Sequence, residues 1–269
     1  MNKLFLTALI CFAVFLFSFV NRKTKKEVCE IRNTTFSAGE EVMFRVYYEL
    51  AGIYVNAGNV VFSNKLEILN NRPVYHITGD GKTHNSYDWI YKVRDKYETF
   101  IDTATLQPLQ FIRNVNEGGY IKYENIVFDH KANIANTNHG VFKIPDCVQD
   151  VLSAIYYARN IEFDNYKVGD RIPFNLFLDN EIFNMHIRYL GKEIIKTRYG
   201  TFRAIKFKPL LLKGTIFEGG EKMTVWVSDD KNHVPLRIES PIVVGSIKVD
   251  MMNYSQLRHP LNSLMQLRK

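Results

Sequence analysis

From residue 41 to about 254 the chain is a succession of strand-like stretches cut at short intervals by turn formers. This punctuation constrains the fold more than any single motif. "EVMFRVYYELAGIYVNAGNVVFSNKLEIL", "PVYHITGDGK", "SYDWIYKVRDKYETFID", "LQPLQFIRNV" and "YIKYENIVFD" are separated by "AGE", "NNRP", "GDG" and "NEGG". A second series runs through "DRIPFNLFLDN", "FNMHIRYLGKEIIKT", "TFRAIKFKPLLLKGTIF", "KMTVWVSDD", "VPLRIES" and "GSIKVDMMNY". Aromatic and β-branched side chains suit a half-buried pleated surface, and short hairpins are the economical way to join such segments. With 46% hydrophobic and 13% aromatic residues the chain can fill a core, which excludes a disordered polymer. One segment breaks the pattern. In "PDCVQDVLSAIYYARNIEF" apolar residues fall at Val148, Val151, Leu152, Ile155 and Tyr156, the spacing of a helix, so a helix is expected over about 146–163 with Asp146 as its N-cap. The expected class is therefore mainly β and antiparallel, as two similar β-sheets or half-barrels with one central α-helix.

Two patterns recur at nearly one offset. "DTATLQPLQF" from Asp102 and "DDKNHVPLRI" from Asp229 lie 229 − 102 = 127 residues apart, and "AGEEVMF" from Ala38 and "VGDRIPF" from Val168 lie 168 − 38 = 130 apart. A diverged duplication follows as an expectation, with half-repeats over 38–129 and 168–255 joined by a linker with the helix over 130–167, and a tail over 256–269. Under this reading Pro108 and Pro235 are equivalent. The Asp229–Asp230 pair beside His233 is then an exposed turn rather than a metal or acid/base site, because no second nitrogen or thiolate ligand stands at metal spacing.

The first twenty residues carry Lys3 and an uninterrupted apolar run from Leu4 to Val20, which fits a signal peptide or membrane anchor. Cys11 lacks a lipobox setting. The basic "NRKTKKE" run over the flexible 21–37 segment opposes simple insertion with the N-terminus inside, so cleavage and topology stay open. Export is the expectation. The net charge of +7 is not gathered into one folded patch, which argues against nucleic acid as a partner. Cys29 and Cys147 could pair in an oxidising compartment; alternatively Cys147 is a small buried hydrophobe and Cys29 a free thiol in a flexible arm.

Sites of chemistry are scarce. "GDGKT" at Gly79–Thr83 ends like a phosphate loop, but His76 stands where the first glycine is required, so a hairpin turn is expected there. There is no nucleophile elbow or zincin motif, no catalytic residue or metal ligand is assigned, and no cofactor fingerprint is present. A carboxylate pair that meets only in the fold would escape this reading. "SYDWIYKV" alternates, which predicts a strand with Tyr87, Trp89 and Tyr91 on one face. That face suits either a packed core or stacking on a ligand.

"AGEEVMFRVYYELAGIYVNAGNVVF", "YKVRDKYETFIDTATLQPLQFIRN", "DVLSAIYYAR", "GTFRAIKFKP" and "VWVSDDKNHVPLRIES", in that order, resemble the exported bacterial family called domain of unknown function 3108. The resemblance implies a β-rich envelope protein of a Gram-negative bacterium, in the periplasm or tethered, with no assigned activity and no catalytic residues to carry over. A slighter similarity, through "VPLRI", is to the half-barrels of outer-membrane lipoprotein carriers. The function expected is non-catalytic binding of a lipid or other amphipathic envelope component in a cavity between sheet and helix, at Tyr87, Trp89, Tyr91 and Tyr156. The alternatives are a carbohydrate-binding module, a structural envelope protein or a hydrolase. Lipid or glycan is the expected partner, with the membrane a further one if the N-terminal segment is retained.

Overall fold

The computed structural model describes residues 29, 31–213 and 219–268. The apolar start, Cys11 and the basic run lie outside the described residues. Among the described residues no helix is long and apolar enough to cross a membrane.

The chain first runs through six antiparallel strands: β1 (Glu41–Leu50), β2 (Ile53–Leu69), β3 (Arg72–Thr83), β4 (Arg94–Asp102), β5 (Pro108–Glu117) and β6 (Tyr120–Asp129). A short hairpin, β7 (Ile134–Thr137) and β8 (Gly140–Lys143), leads to the helix α1 (Val151–Arg159). Six more strands follow: β9 (Arg171–Leu178), β10 (Glu181–Lys196), β11 (Gly200–Pro209), β12 (Thr224–Ser228), β13 (Pro235–Pro241) and β14 (Ser246–Ser255). Finally β15 (Leu264–Leu267) adds to β11. The two runs are stretches of one sheet, because β1 pairs with β14 and gives the order β8-β7-β6-β5-β4-β3-β2-β1-β14-β13-β12-β11-β10-β9. Pro108 opens the fifth strand of the first run and Pro235 the fifth strand of the second.

The two ends of this sheet approach each other without pairing β8 to β9. Phe177 of β9 packs edge-on against Phe128 of β6 and tilted against Phe142 of β8, with ring centroids 6.0 Å apart in each case. Around the β9–β10 turn, Asp179 takes Arg113 at 2.5 Å and Lys122, and Arg113 and Lys122 also pair with the buried Glu124. Curvature therefore closes the sheet through side chains. Alternation places Phe111, Arg113 and Val115 of β5 and Ile126 of β6 inward: Phe111 and Ile126 join a core cluster, Arg113 joins the ion cluster, and Val115 is buried.

The helix is shorter than its apolar spacing suggested. Its N-cap is Asp150, not Asp146, and Ser153 completes a capping box. Residues 146–149 are not helical: Asp146 and Cys147 form a turn, with Cys147 at a positive φ of 59° beside its disulfide to Cys29, and Gln149 bridges Leu176 of β9 in parallel. α1 then lies between β4 and β9, with Leu152 and Tyr156 in the core.

Two further expectations give way. "GDGKT" is not a turn: Gly79–Thr83 is the end of β3, paired on both sides. "SYDWIYKV" is not a strand. Asn85–Tyr87 forms a single 3-10 turn, continued by amide bonds from Ile90 and Tyr91 back to Tyr87. Arg94 gathers this loop, donating to Asn85 Oδ1 at 2.8 Å, Asp88 Oδ2 at 2.7 Å and the Val93 carbonyl at 2.6 Å. Local side-chain bonds of this kind override a weak alternation.

Candidate functional site

Inside the curve of the sheet, β2 and β3 set Gly58 opposite Thr83, Val60 opposite Gly81 and Phe62 opposite Gly79. Val46 of β1 stands opposite Gly58, and Tyr97 and Asp95 of β4 stand opposite Gly79 and Gly81. Because side chains alternate across a strand, all of these share one face. The Val151, Leu152 and Ile155 face of α1 covers them. Between floor and cover lies a cleft of about 310 Å³, walled mainly by aliphatic side chains, Phe62, Tyr97 and glycine backbone.

The glycines make this space for different reasons. A Cβ at Gly58 would fall 2.2 Å from the Lys82 carbonyl oxygen, and one at Gly79 would fall 2.7 Å from the Phe62 ring. These two are required by packing. At Gly81 the nearest atoms, on Val60 and Asp95, stand at 3.8 and 4.0 Å, so a side chain there would enter the cleft without strain. The Tyr97 phenol is pushed up to about 12, first by burial and then by Glu117 and Asp95, so this wall stays neutral. The Asp95 carboxylate accepts the Asn116 amide at 3.0 Å. The lining offers a slot for an apolar chain and no nucleophile beside a base.

A second, polar cavity of about 550 Å³ surrounds the Asp229–His233 turn. Asp230 accepts hydrogen bonds from Ser228 Oγ, the Asn232 amide and the Ser263 amide, so its carboxylate is occupied in shaping the turn. Asp229 pairs with Lys192 at 3.0 Å. His233 bonds the Arg159 carbonyl through Nδ1 at 2.7 Å, and burial lowers its pKa. The turn is not exposed as expected: Asn232 is fully buried, because it receives the His259 amide and donates to the carbonyls of the C-terminal tail. Among the described residues no cluster of three or more His, Cys, Asp or Glu side chains could hold a metal.

The four aromatic residues expected at the site are not brought together. Tyr156 is core, with its ring centroid 4.8 Å from that of Phe36, and burial raises its pKa. Tyr87 sits in the 3-10 turn, and Tyr91 lies against Gly118 of the β5–β6 turn. Trp89 is 82% exposed, which removes the packed-core reading for it. The cleft residues that sequence reasoning missed are Gly79, Gly81, Val60 and Tyr97. Their available signal was a pair of glycines two apart within a strand-like run, which marks a close approach or an open space on one face.

A family model described as "Protein of unknown function (DUF3108)" matches residues 43–252. No curated protein is significantly similar in sequence. Among solved structures, the β-barrel-like protein of domain of unknown function DUF1849 from Brucella abortus aligns over 82% of this chain and 99% of its own, with a TM-score of 0.57 and 7% identity. An exported protein, provisionally so described, with a YmcC-like fold from Bacteroides fragilis aligns over 82% of this chain and 97% of its own, at 11% identity and a TM-score of 0.33. The first of these shows a shared β-barrel-like fold.

Proposed function

The chain belongs to the DUF3108 family, whose description assigns no activity, and from that premise we propose that this member is an exported, non-catalytic carrier or sensor of an apolar chain, such as a lipid acyl group. The observation that carries the reading is the cleft between β1–β4 and α1, floored by glycine and walled by apolar side chains. Buried apolar contact gives such a slot its affinity, at roughly 25 cal/mol per Å² removed from water. Export is supported by the apolar start and by the Cys29–Cys147 disulfide, since disulfides persist in oxidising compartments. The carbohydrate alternative is less favoured, because Asn85 and Asp88, which share the loop of the exposed Trp89, are both engaged by Arg94.

Gly81→Leu tests the reading. The new side chain occupies the cleft, while the strand exchanges a glycine for a residue with better strand propensity. A fluorescent fatty acid titrated into the wild-type protein should bind at least tenfold more tightly than to the variant, and the variant's melting temperature should be unchanged or higher. Equal binding by the two proteins would remove the cleft as the site.

A further inference from the structure

Four chain reversals lie side by side at one end of the barrel. The β13–β14 turn meets the end of β1, where a Cβ on Gly245 would fall 2.3 Å from the Glu49 carbonyl oxygen and Ser246 Oγ donates to Glu49 at 2.8 Å. The β1–β2 turn follows directly, with Leu50 opposite Ile53. The β3–β4 loop is tied to β2 by the His84 amide on the Ala57 carbonyl at 2.9 Å, and the β5–β6 turn is tied to that loop by the Gly118 amide on the Lys92 carbonyl at 2.8 Å. All four turns expose large apolar side chains, among them Ile53, Trp89, Ile90, Ile121, Val243 and Val244. The reversals at the other end of the same strands read "NNR", "DTATLQ", "DHKAN" and "DDKNH". None of these four reversals carries an exposed large apolar side chain, although Leu66 and Ile68 near the end of β2 are exposed.

We propose that this apolar end docks onto a phospholipid bilayer, with the four tips entering the interfacial layer. The chemistry favours a membrane over a protein partner. The apolar groups stand on four separate turns rather than on one contiguous face, and Trp and Tyr prefer the boundary between headgroups and acyl chains. Charge is placed to match. The segments 50–54, 118–121 and 241–245 contain no charged residue, and in the β3–β4 loop Asp88 is neutralised by Arg94 at 2.7 Å. A lysine follows three of the tips: Lys92 after Tyr91; Lys122 after Ile121, held by Asp179 and Glu124; and Lys248 two residues after Ser246, which pairs with Glu239 at 2.9 Å and has its ammonium 5.9 Å from the centre of the Tyr54 ring. Cations just behind an apolar tip lie at the depth of lipid phosphates. The docking end also adjoins the cleft, since Thr83 and Val93 line the cleft and bracket the β3–β4 loop. Cys29, where the described chain begins, sits at the other end beside Gln107 and Asn70.

The proposal does not require the cleft to be filled, and its test is separate. Trp89 is exposed and Trp226, the second of the two tryptophans, is buried, so Trp89 is the reporter of insertion. The full chain is used as isolated, reconstituted in unbrominated phosphatidylcholine vesicles if it retains its apolar start. Phosphatidylcholine vesicles with brominated acyl chains are then added. Quenching of the Trp89 emission, absent from a Trp89→Phe control, is the expected result. Ile90→Ser combined with Ile121→Ser alters only exposed positions and should weaken the vesicle affinity at least tenfold without changing the melting temperature. No quenching in the wild-type protein, or quenching unaltered in the double variant, would overturn the proposal and leave a protein partner as the occupant of this end.

Discussion

Asp150 holds the start of α1 with a carboxyl that is fully buried. Its Oδ1 accepts the Leu152 and Ser153 amides at 2.8 and 2.7 Å, and its Oδ2 accepts the Thr99 hydroxyl at 2.6 Å, so one side chain both caps the helix and fastens it to β4. Burial pushes its pKa up to about 6, against the pull of the Thr99, Ser153 and Leu152 hydrogen bonds. The folded value lies above the unfolded value of about 3.9, so the native state binds the extra proton between the two. The stability this group contributes is complete below about pH 4 and is lost as pH rises through about 6, by roughly 3 kcal/mol at 1.36 kcal/mol per unit. Asp150→Asn keeps a capping acceptor and removes the titration. The difference in urea unfolding free energy between wild type and variant should therefore fall by about 2 kcal/mol from pH 4 to pH 7. A difference constant across this range would show a carboxyl ionised throughout. The cap itself was partly legible: a capping residue was expected, but four positions early. Asp146 and Asp150 both precede apolar residues, and only the pairing of Gln149 with β9 selects between them.

At the scale of the element, α1 is held at its other end by Arg159. This buried guanidinium reaches Glu40 with NH1 at 2.5 Å and NH2 at 2.9 Å, and donates from Nε and NH2 to the Asn232 carbonyl at 3.2 and 3.1 Å. The helix, the entry to β1 and the β12–β13 turn are thus joined through one side chain. Glu40→Ala leaves an unpaired buried cation and should cost about 3–5 kcal/mol in equilibrium unfolding, whereas Glu40→Met with Arg159→Met should recover most of that loss. A single variant as stable as the wild type would mean that water reaches Arg159. A charged residue in the last helical turn is ordinarily solvated, whereas Arg159 is buried. Its partner lies 119 residues away, and no local pattern announces it. The loop over 84–93 shows the converse. Its alternation was strand-like, yet Arg94, Asp88 and Thr83 supply nearby hydrogen bonds that fold it on itself.

For the whole molecule, the disulfide and the meeting of the sheet ends decide the shape. Cys29 and Cys147 are 118 residues apart in sequence, so their bond ties the N-terminal arm to the entry of α1 and closes a loop that contains the entire first run of strands. Its removal by Cys147→Ser should cost about 2–5 kcal/mol. Reductant should lower the melting temperature of the wild type to that of the variant and leave the variant unchanged. A wild-type protein insensitive to reductant would show that the bond is absent in solution or adds nothing.

What the sequence determined by itself is the antiparallel class, the existence of helix α1 and the places where most strands reverse, because these depend on side-chain periodicity and turn chemistry within a few residues. The glycines at 79 and 81 were visible, but their meaning depended on which residues stood across from them. Only the register of β3 against β2 puts Phe62 over Gly79 and leaves Gly81 open beneath α1. Likewise, the apolar residues of four turns distant in sequence come to the same end of the sheet only when β14 pairs with β1 and the meander sets the reversals in a row. The cleft and the docking end are made by long-range pairing, and a chain read one window at a time carries no record of which windows will meet.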